Sequence, residues 1–280
     1  MAASDIVPLH VLGTDVDIHV EGPGAHHLVQ VLRERWHLCL RADATPTSAE
    51  PPRVVGATLL DPDAAPDPGP PGWARGDAVS DPDERRLLQR LTQSVTYAAI
   101  GARSGDLLML HAAALADPVT GATAAFVAPG NTGKTTLCRT LGPARSYVSD
   151  ETVGVRRDGT VAPYLKPLST RRPDWAGVKD EQAPGRLGLR APGVTPWLAG
   201  VVLLRRDEQH RGEPEVEELD VLDAIMAITP ESSAFMVTER PLHWLADVLG
   251  RTGGCRRVTY AEVGELEPLV TEVCARPSPW

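Results

Sequence analysis

The chain has 280 residues, which is enough for one large domain or two small ones at roughly 150 residues per domain. Its 42% hydrophobic and 23% charged residues are typical of a globular protein, and no apolar run approaches the roughly 18 residues of a membrane span, so we expect no transmembrane segment. Aspartate and glutamate outnumber lysine and arginine by 37 to 28, and the resulting net charge of −9 disfavours a nucleic-acid partner.

The amino-terminal part of the sequence predicts a small α+β module. Apolar and polar residues alternate over Ile6–Val20, as in a strand, and apolar residues recur at helical spacing from Ala25 to Trp36. From about residue 41 to 82, proline and acidic residues become frequent, apart from a short predicted strand at Arg53–Leu60. We therefore expect residues 1–84 to form this module, with a mobile linker or insertion at about 41–82.

Residues 85–280 are expected to form a second domain, which begins with a helix. Asp81 and Asp83 can cap a helix from about Glu84 to Gly101, whose apolar residues follow the 3.6-residue period. A proline-rich stretch at Ala162–Trp197 is expected to be a loop that covers a site. The other predicted elements are strands at Leu107–Leu115, Ala122–Ala128, Ser146–Val155, Ala199–Leu204 and Cys255–Tyr260, and helices at Val221–Ile228 and Leu242–Leu249. We expect an α/β fold with a P-loop core.

The strongest motif lies between a predicted strand and a predicted helix. It reads Ala128-Pro129-Gly130-Asn131-Thr132-Gly133-Lys134-Thr135-Thr136, which matches the phosphate-binding loop G-x-x-x-x-G-K-[ST] except at its first glycine. The two glycines allow successive N–H groups to turn inward, and the Lys134 ammonium can reach the β- and γ-phosphates of a nucleotide. The Thr135 hydroxyl can ligate Mg²⁺. The motif therefore predicts that residues 130–136 bind ATP with Mg²⁺.

Two adjacent carboxylates, Asp150 and Glu151, end the short apolar segment that follows the loop and its helix. In an α/β sheet, strand ends of this kind lie at the edge where ligands bind, so both side chains are expected to face the P-loop. One can hold Mg²⁺ while the other accepts the proton of an attacking hydroxyl. The residue types alone leave open which carboxylate holds the metal and which accepts the proton. They also fit a solvated acidic turn with no chemical role.

Two weaker features accompany these motifs. His111 follows the apolar run Leu107–Leu110, and a histidine in that position is either satisfied within the core or catalytic. Lys166, Arg171 and Arg172 form a basic cluster that either grips a phosphate or an acidic substrate, or is a solvated surface.

Together these motifs resemble the HPr kinase/phosphorylase superfamily, and more narrowly its short HPr kinase-like members associated with peptide natural-product (RiPP) pathways. The resemblance covers about residues 85 to 275 and rests on four segments in the family's order: Leu110-His111-Ala112-Ala113-Ala114, the P-loop, Val148-Ser149-Asp150-Glu151 and Lys166-Pro167-Leu168.

The resemblance implies roles for five residues. Lys134 and the loop would hold the ATP phosphates, and Thr135 would hold Mg²⁺. Asp150 would be the general base for the acceptor hydroxyl, Glu151 would assist the metal, and His111 would lie beside the reacting groups.

The sequence also departs from the family's bacterial regulator. That regulator has Ser-Glu in place of Thr135-Thr136 and two aspartates in place of Asp150-Glu151, and its later glycine- and arginine-containing signature is missing here. We therefore do not expect HPr itself to be the acceptor, and we carry over neither phosphorylase activity nor a hexamer.

We interpret the chain as an ATP-dependent kinase that transfers the γ-phosphate to a hydroxyl, foremost a Ser or Thr of a peptide or protein such as a RiPP precursor. A small-molecule kinase, an ATPase subunit and a non-catalytic ATP-binding module of a peptide-biosynthetic complex are the alternatives. Residues 1–84 would recognise the substrate or a partner, and the oligomeric state is left open. The four cysteines include no CxxC pair, and no signal sequence opens the chain, so we expect a reduced cytoplasmic location.

Overall fold

The computed structural model describes residues 5–41, 47, 50–64 and 78–280. The chain divides into two compact units, Met1–Arg103 with Leu165–Arg186, and Ser104–Tyr164 with Leu187–Trp280. The strands are β1 (Asp5–Val11), β2 (Thr14–Glu21), β3 (Arg53–Leu59), β4 (Ala78–Asp81), β5 (Leu108–Ala116), β6 (Ala122–Val127), β7 (Ser146–Ser149), β8 (Thr152–Val155), β9 (Val161–Ala162), β10 (Leu168–Arg171), β11 (Lys179–Gln182), β12 (Trp197–Arg206), β13 (Glu215–Leu219), β14 (Ser232–Ser233) and β15 (Cys255–Tyr260). The α-helices are α1 (Ala25–Arg35), α2 (Glu84–Ala102), α3 (Lys134–Leu141), α4 (Val221–Ile228), α5 (Pro241–Arg251) and α6 (Glu267–Cys274).

The first unit contains a four-stranded sheet in the order β1-β2-β3-β4. The alternating segment at its start is a hairpin, because Leu12 and Gly13 adopt positive φ angles of 53° and 74° and reverse the chain between β1 and β2. The next two pairings, β2 with β3 and β3 with β4, are parallel. Helix α1 buries Leu28 and Leu32.

Helix α2 belongs to this first unit, so the division of the chain differs from the expected boundary at residues 84 and 85. Its amino terminus is capped as expected, since the Asp83 carboxylate accepts hydrogen bonds from the backbone N–H groups of Arg85 and Arg86. The helix buries an apolar stripe that includes Leu87 and Leu91, and it contacts β3, β4 and β11. Burial of that stripe against the first unit explains why the helix does not open the second.

The expected loop over Ala162–Trp197 is wrong in its middle part. Strands β10 and β11 form an antiparallel hairpin whose register pairs Leu168 with Gln182 and Arg171 with Lys179, and the hairpin belongs to the first unit. The backbone N–H of Lys179 donates to the Gln89 side chain of α2 over 2.8 Å. This stretch is therefore ordered structure packed on a helix and not a long open loop.

The second unit is a mixed α/β structure built on a nine-stranded sheet, whose main path runs β13-β15-β12-β6-β5-β8-β9. The three strands β6, β12 and β15 are parallel to one another, whereas β5 is antiparallel to β6. Sheet residues such as Leu110, Val127 and Leu203 share a core with Ile228 of α4 and Leu245 of α5. The carboxyl ends of the three parallel strands meet at one edge, where ligands bind in open α/β sheets.

Within the described ranges, no helix combines the length and apolar character needed to cross a membrane. All four cysteines are buried and make no disulfide. The parts of the expected linker at residues 42–46, 48–49 and 65–77 lie outside the described residues.

Candidate functional site

The phosphate-binding motif forms the predicted strand, loop and helix. Strand β6 ends at Val127 and α3 begins at Lys134, with residues 128–133 as the connecting loop. Asn131 and Gly133 adopt left-handed φ angles of 70° and 102°. Left-handed residues of this kind turn neighbouring N–H groups toward one side and make an anion-binding concavity. Gly130 and Asn131 are exposed, and so is Thr136 in the first turn of α3, so the loop is open to solvent.

Lys134 directs its charge into the start of the loop. Its Nζ donates hydrogen bonds to the carbonyl oxygens of Ala128 and of Pro129, the second over 2.9 Å. The residue is only 6% exposed. A phosphate that displaced these carbonyls would meet an ammonium group that already lies inside the loop.

Asp150 connects the end of β7 to the first turn of α3. Its Oδ2 accepts a hydrogen bond from the Thr135 hydroxyl over 2.9 Å, and its Oδ1 accepts one from the Tyr147 hydroxyl over 3.1 Å. The Cys138 thiol of α3 also lies 3.3 Å from the Ser149 carbonyl oxygen. The structure thus brings together Thr135, the hydroxyl of the loop motif, and Asp150, the carboxylate at the strand end, which are fifteen residues apart in the sequence.

The donor set of Thr135 and Asp150 fits Mg²⁺, which prefers hard oxygen ligands and keeps several of its waters. Among the described residues, no group of three or more His, Cys, Asp or Glu side chains could hold a metal ion. A magnesium ion at this point would have the Thr135 hydroxyl and the Asp150 carboxylate as ligands from the chain.

His111 and Glu151 meet beside this pair. The Glu151 carbonyl oxygen accepts hydrogen bonds from the His111 Nδ1–H over 3.1 Å and from the Ala112 backbone N–H over 3.0 Å. Because a carbonyl only accepts, Nδ1 carries the proton and Nε2 keeps its lone pair in the neutral ring. Burial lowers the pKa of His111 and the positive charge of Lys134 lowers it further, while the carboxylates of Glu151 and Glu231 oppose the shift. His111 is therefore neutral at pH 7.

Three residues near the site, Tyr147, Glu231 and Tyr260, belong to none of the motifs in the sequence. Glu231 precedes β14, whose Ser232 pairs with Leu110, next to His111. Tyr147 lies three residues before Asp150, which is a weak local signal. Tyr260 is the last residue of β15, and its hydroxyl donates to the Thr132 carbonyl oxygen over 2.8 Å. No pattern in the sequence predicts this contact.

The basic cluster lies in the first unit. Lys166 is 1% exposed, and its Nζ donates to the Pro167 carbonyl oxygen over 3.0 Å. Its ammonium group is therefore buried, whereas a group that binds a substrate is expected at the surface. Arg171 and Arg172 are exposed, and Arg172 pairs with Asp180 over 2.9 Å. A substrate role for these two arginines stays a prediction.

No protein-family model matches this chain, and no curated protein matches it. Among solved structures, it is similar to the HPr(Ser) kinase/phosphatase from Coxiella burnetii, with 12% identity and a TM-score of 0.28, over 59% of this chain and 92% of the other.

Proposed function

We propose that this chain is an ATP-dependent kinase that transfers the γ-phosphate to an acceptor hydroxyl. The observation that carries the proposal is the hydrogen bond between Thr135 and Asp150, because it joins a phosphate-binding loop to a strand-end carboxylate. A loop alone would bind a nucleotide without indicating any chemistry. The neighbouring Glu151 and neutral His111 supply further polar groups at the same place.

On the nucleotide side, the loop N–H groups and Lys134 would bind the phosphates. Thr135 and Asp150 would hold Mg²⁺, which neutralises charge on the phosphate oxygens when it is bound. The Thr135 contact favours Asp150 over Glu151 as the residue beside the metal.

On the acceptor side, the bond between the acceptor oxygen and the γ-phosphorus forms while the bond from that phosphorus to the leaving oxygen of ADP breaks, and the acceptor proton passes to a carboxylate. A carboxylate has about four lone-pair sites, so Asp150 can also accept the proton, as the resemblance implies. Glu151 is the second candidate for this role. His111 can hydrogen-bond the acceptor through Nε2.

For the acceptor we propose a Ser or Thr hydroxyl of a peptide or protein, with RiPP precursors as the first class to try and small molecules as the second. The resemblance of the motifs supports this choice. We further propose that the first unit recognises the acceptor or a partner protein, in a reduced cytoplasmic setting.

The test is incubation with γ-labelled ATP, Mg²⁺ and candidate acceptors, using the wild type, Lys134→Ala and the matched lysine variant Lys179→Ala. We expect label in an acceptor for the wild type, no transfer and weaker nucleotide binding for Lys134→Ala, and wild-type nucleotide binding for Lys179→Ala, since Lys179 lies in the β10–β11 hairpin of the first unit. Near-wild-type turnover by Lys134→Ala would refute the role of the loop. Release of phosphate alone would identify an ATPase, and binding alone a nucleotide-dependent module.

A further inference from the structure

Tyr260 lies at the carboxyl end of a parallel strand, on the edge of the sheet that carries the P-loop. It is the last residue of β15, which pairs in parallel with β12 so that Tyr260 is opposite Arg206. Strand β12 pairs in parallel with β6, the strand that leads into the loop. The Tyr260 side chain is fully buried, with 0% of the residue exposed. The aromatic ring is therefore a fixed part of the sheet edge that supports the loop.

The phenol holds one particular peptide of the loop. Its hydroxyl donates to the Thr132 carbonyl oxygen over 2.8 Å. The carbonyl and N–H groups of a trans peptide point in opposite directions. Fixing the Thr132 carbonyl toward Tyr260 therefore turns the N–H of Gly133 away from the phenol and leaves it available to a phosphate oxygen.

Gly133 lets the loop approach the phenol. A Cβ built at this position would lie 3.3 Å from the Tyr260 hydroxyl oxygen, which is tighter than ordinary van der Waals contact, and the φ of 102° is a conformation that side chains other than glycine rarely adopt. Lysine at the next position and the helix after it explain phosphate binding in general. The contact with Tyr260 adds a link between this loop and the end of β15.

The chemistry of the phenol suits a permanent donor. Burial raises the pKa of Tyr260 to about 12, with the positive charge of Arg206 opposing the shift and the carboxylate of Glu262 adding to it. The hydroxyl therefore keeps its proton throughout the neutral range, so the contact does not switch with pH.

We propose that Tyr260 is a positioning residue of the nucleotide site, whose hydroxyl orients the Thr132–Gly133 peptide for phosphate binding. This inference rests on the nucleotide-binding part of the proposed function and not on the identity of the acceptor. Tyr260 touches no reacting group, so its effect should appear in nucleotide affinity and in the KM for ATP more than in kcat.

The decisive variant is Tyr260→Phe, which keeps the buried ring and removes only the hydroxyl. Loss of one neutral hydrogen bond that orients the loop is expected to weaken ADP and ATP binding by about fivefold. The KM for ATP should rise by a similar factor while kcat changes by less than about twofold. Amide hydrogen exchange at residues 131–136 of the nucleotide-free protein should become faster.

Two further proteins make the result specific. Tyr164→Phe is the matched control, because Tyr164 is also fully buried in the second unit but follows β9, which is not one of the parallel strands β6, β12 and β15. Its nucleotide affinity should equal that of the wild type. Replacement of Tyr260 by 4-aminophenylalanine keeps an N–H donor at the same point of the ring, and should restore affinity even if the phenylalanine variant folds poorly.

The outcomes separate this inference from the proposed function. Unchanged affinity and unchanged loop exchange in Tyr260→Phe, with a wild type that binds ATP, would overturn the role of Tyr260 and leave the kinase proposal intact. Failure of the amino-substituted ring to restore affinity in a folded protein would also overturn it. A wild type that binds no nucleotide would overturn both.

Discussion

Asp150→Asn tests the contact on which the proposed function depends. Asp150 is 4% exposed and accepts one hydroxyl hydrogen bond on each carboxylate oxygen, from Thr135 and from Tyr147. An asparagine has the same shape, and either hydroxyl can turn round to accept from its amide. The substitution therefore removes the negative charge and leaves the packing in place.

The expected magnitudes separate stability from chemistry. Loss of charge assistance costs about 1 kcal/mol per hydrogen bond, but removing a buried charge offsets much of that cost, so the free energy of unfolding should change by about 1 kcal/mol or less. Phosphate transfer should fall by roughly 10²–10⁴-fold, which corresponds to about 3–5 kcal/mol of transition-state stabilisation. A large loss of activity in a protein of nearly normal stability is thus the expected result.

The assay compares the affinity for ATP with and without Mg²⁺ by calorimetry, and kcat at saturating MgATP. If Asp150 holds the metal with Thr135, the gain in affinity that Mg²⁺ gives the wild type should shrink in Asp150→Asn. Glu151→Gln is the matched carboxylate control and should keep that gain; a fall in its kcat would assign the proton to Glu151. Wild-type kcat together with a wild-type Mg²⁺ effect in Asp150→Asn would refute the reasoning.

Two other predictions concern stability. The pKa of His111 is lowered from 6.5 in the folded protein, so the unfolded chain binds this proton more tightly and stability is lost as the pH falls below about 6.5. In His111→Gln, the plot of unfolding free energy against pH should be flatter in this range. Equal slopes for the variant and the wild type would contradict a buried, neutral His111. The buried Asp81 carboxylate accepts hydrogen bonds from Arg86 over 2.9 Å and from Arg90 over 3.4 Å. Asp81→Asn should therefore lower the free energy of unfolding in urea by about 1–3 kcal/mol. Asp247→Asn, which removes the exposed ion pair between Asp247 and Arg251, should lower it by less than about 1 kcal/mol. Equal costs would contradict the buried pairing.

The loop and its flanking elements were predictable because their signals are local. Strand β6 agrees with the predicted strand Ala122–Ala128 to within one residue, and helix α3 follows the loop as expected. A glycine-rich turn between an apolar run and a lysine-led helix leaves few alternatives. The predicted strand Ser146–Val155 is instead two strands, β7 and β8, separated by Asp150 and Glu151. The two carboxylates that suggested chemistry are thus the residues that interrupt the strand.

The β10–β11 hairpin was missed because its strands carry no apolar alternation. The first reads Leu168-Ser169-Thr170-Arg171 and the second Lys179-Asp180-Glu181-Gln182. These polar residues pair with one another and with a helix: the Ser169 hydroxyl donates to Glu181 over 2.7 Å, and Asp180 accepts from Arg172. A strand stabilised by such pairs has no period-2 hydrophobic pattern to read. Proline content alone then indicated a loop.

Tyr260 illustrates a different reason for missing a residue. A tyrosine at the end of a predicted strand is ordinary, and its partner Thr132 is 128 positions away. Only the order of the parallel strands, β6 next to β12 and β12 next to β15, brings the two residues together. A motif specifies the residues that meet the ligand, whereas the sheet order specifies those that hold the motif in shape. In this sheet that place is the carboxyl end of β15, where the buried Tyr260 hydroxyl reaches the Thr132 carbonyl oxygen.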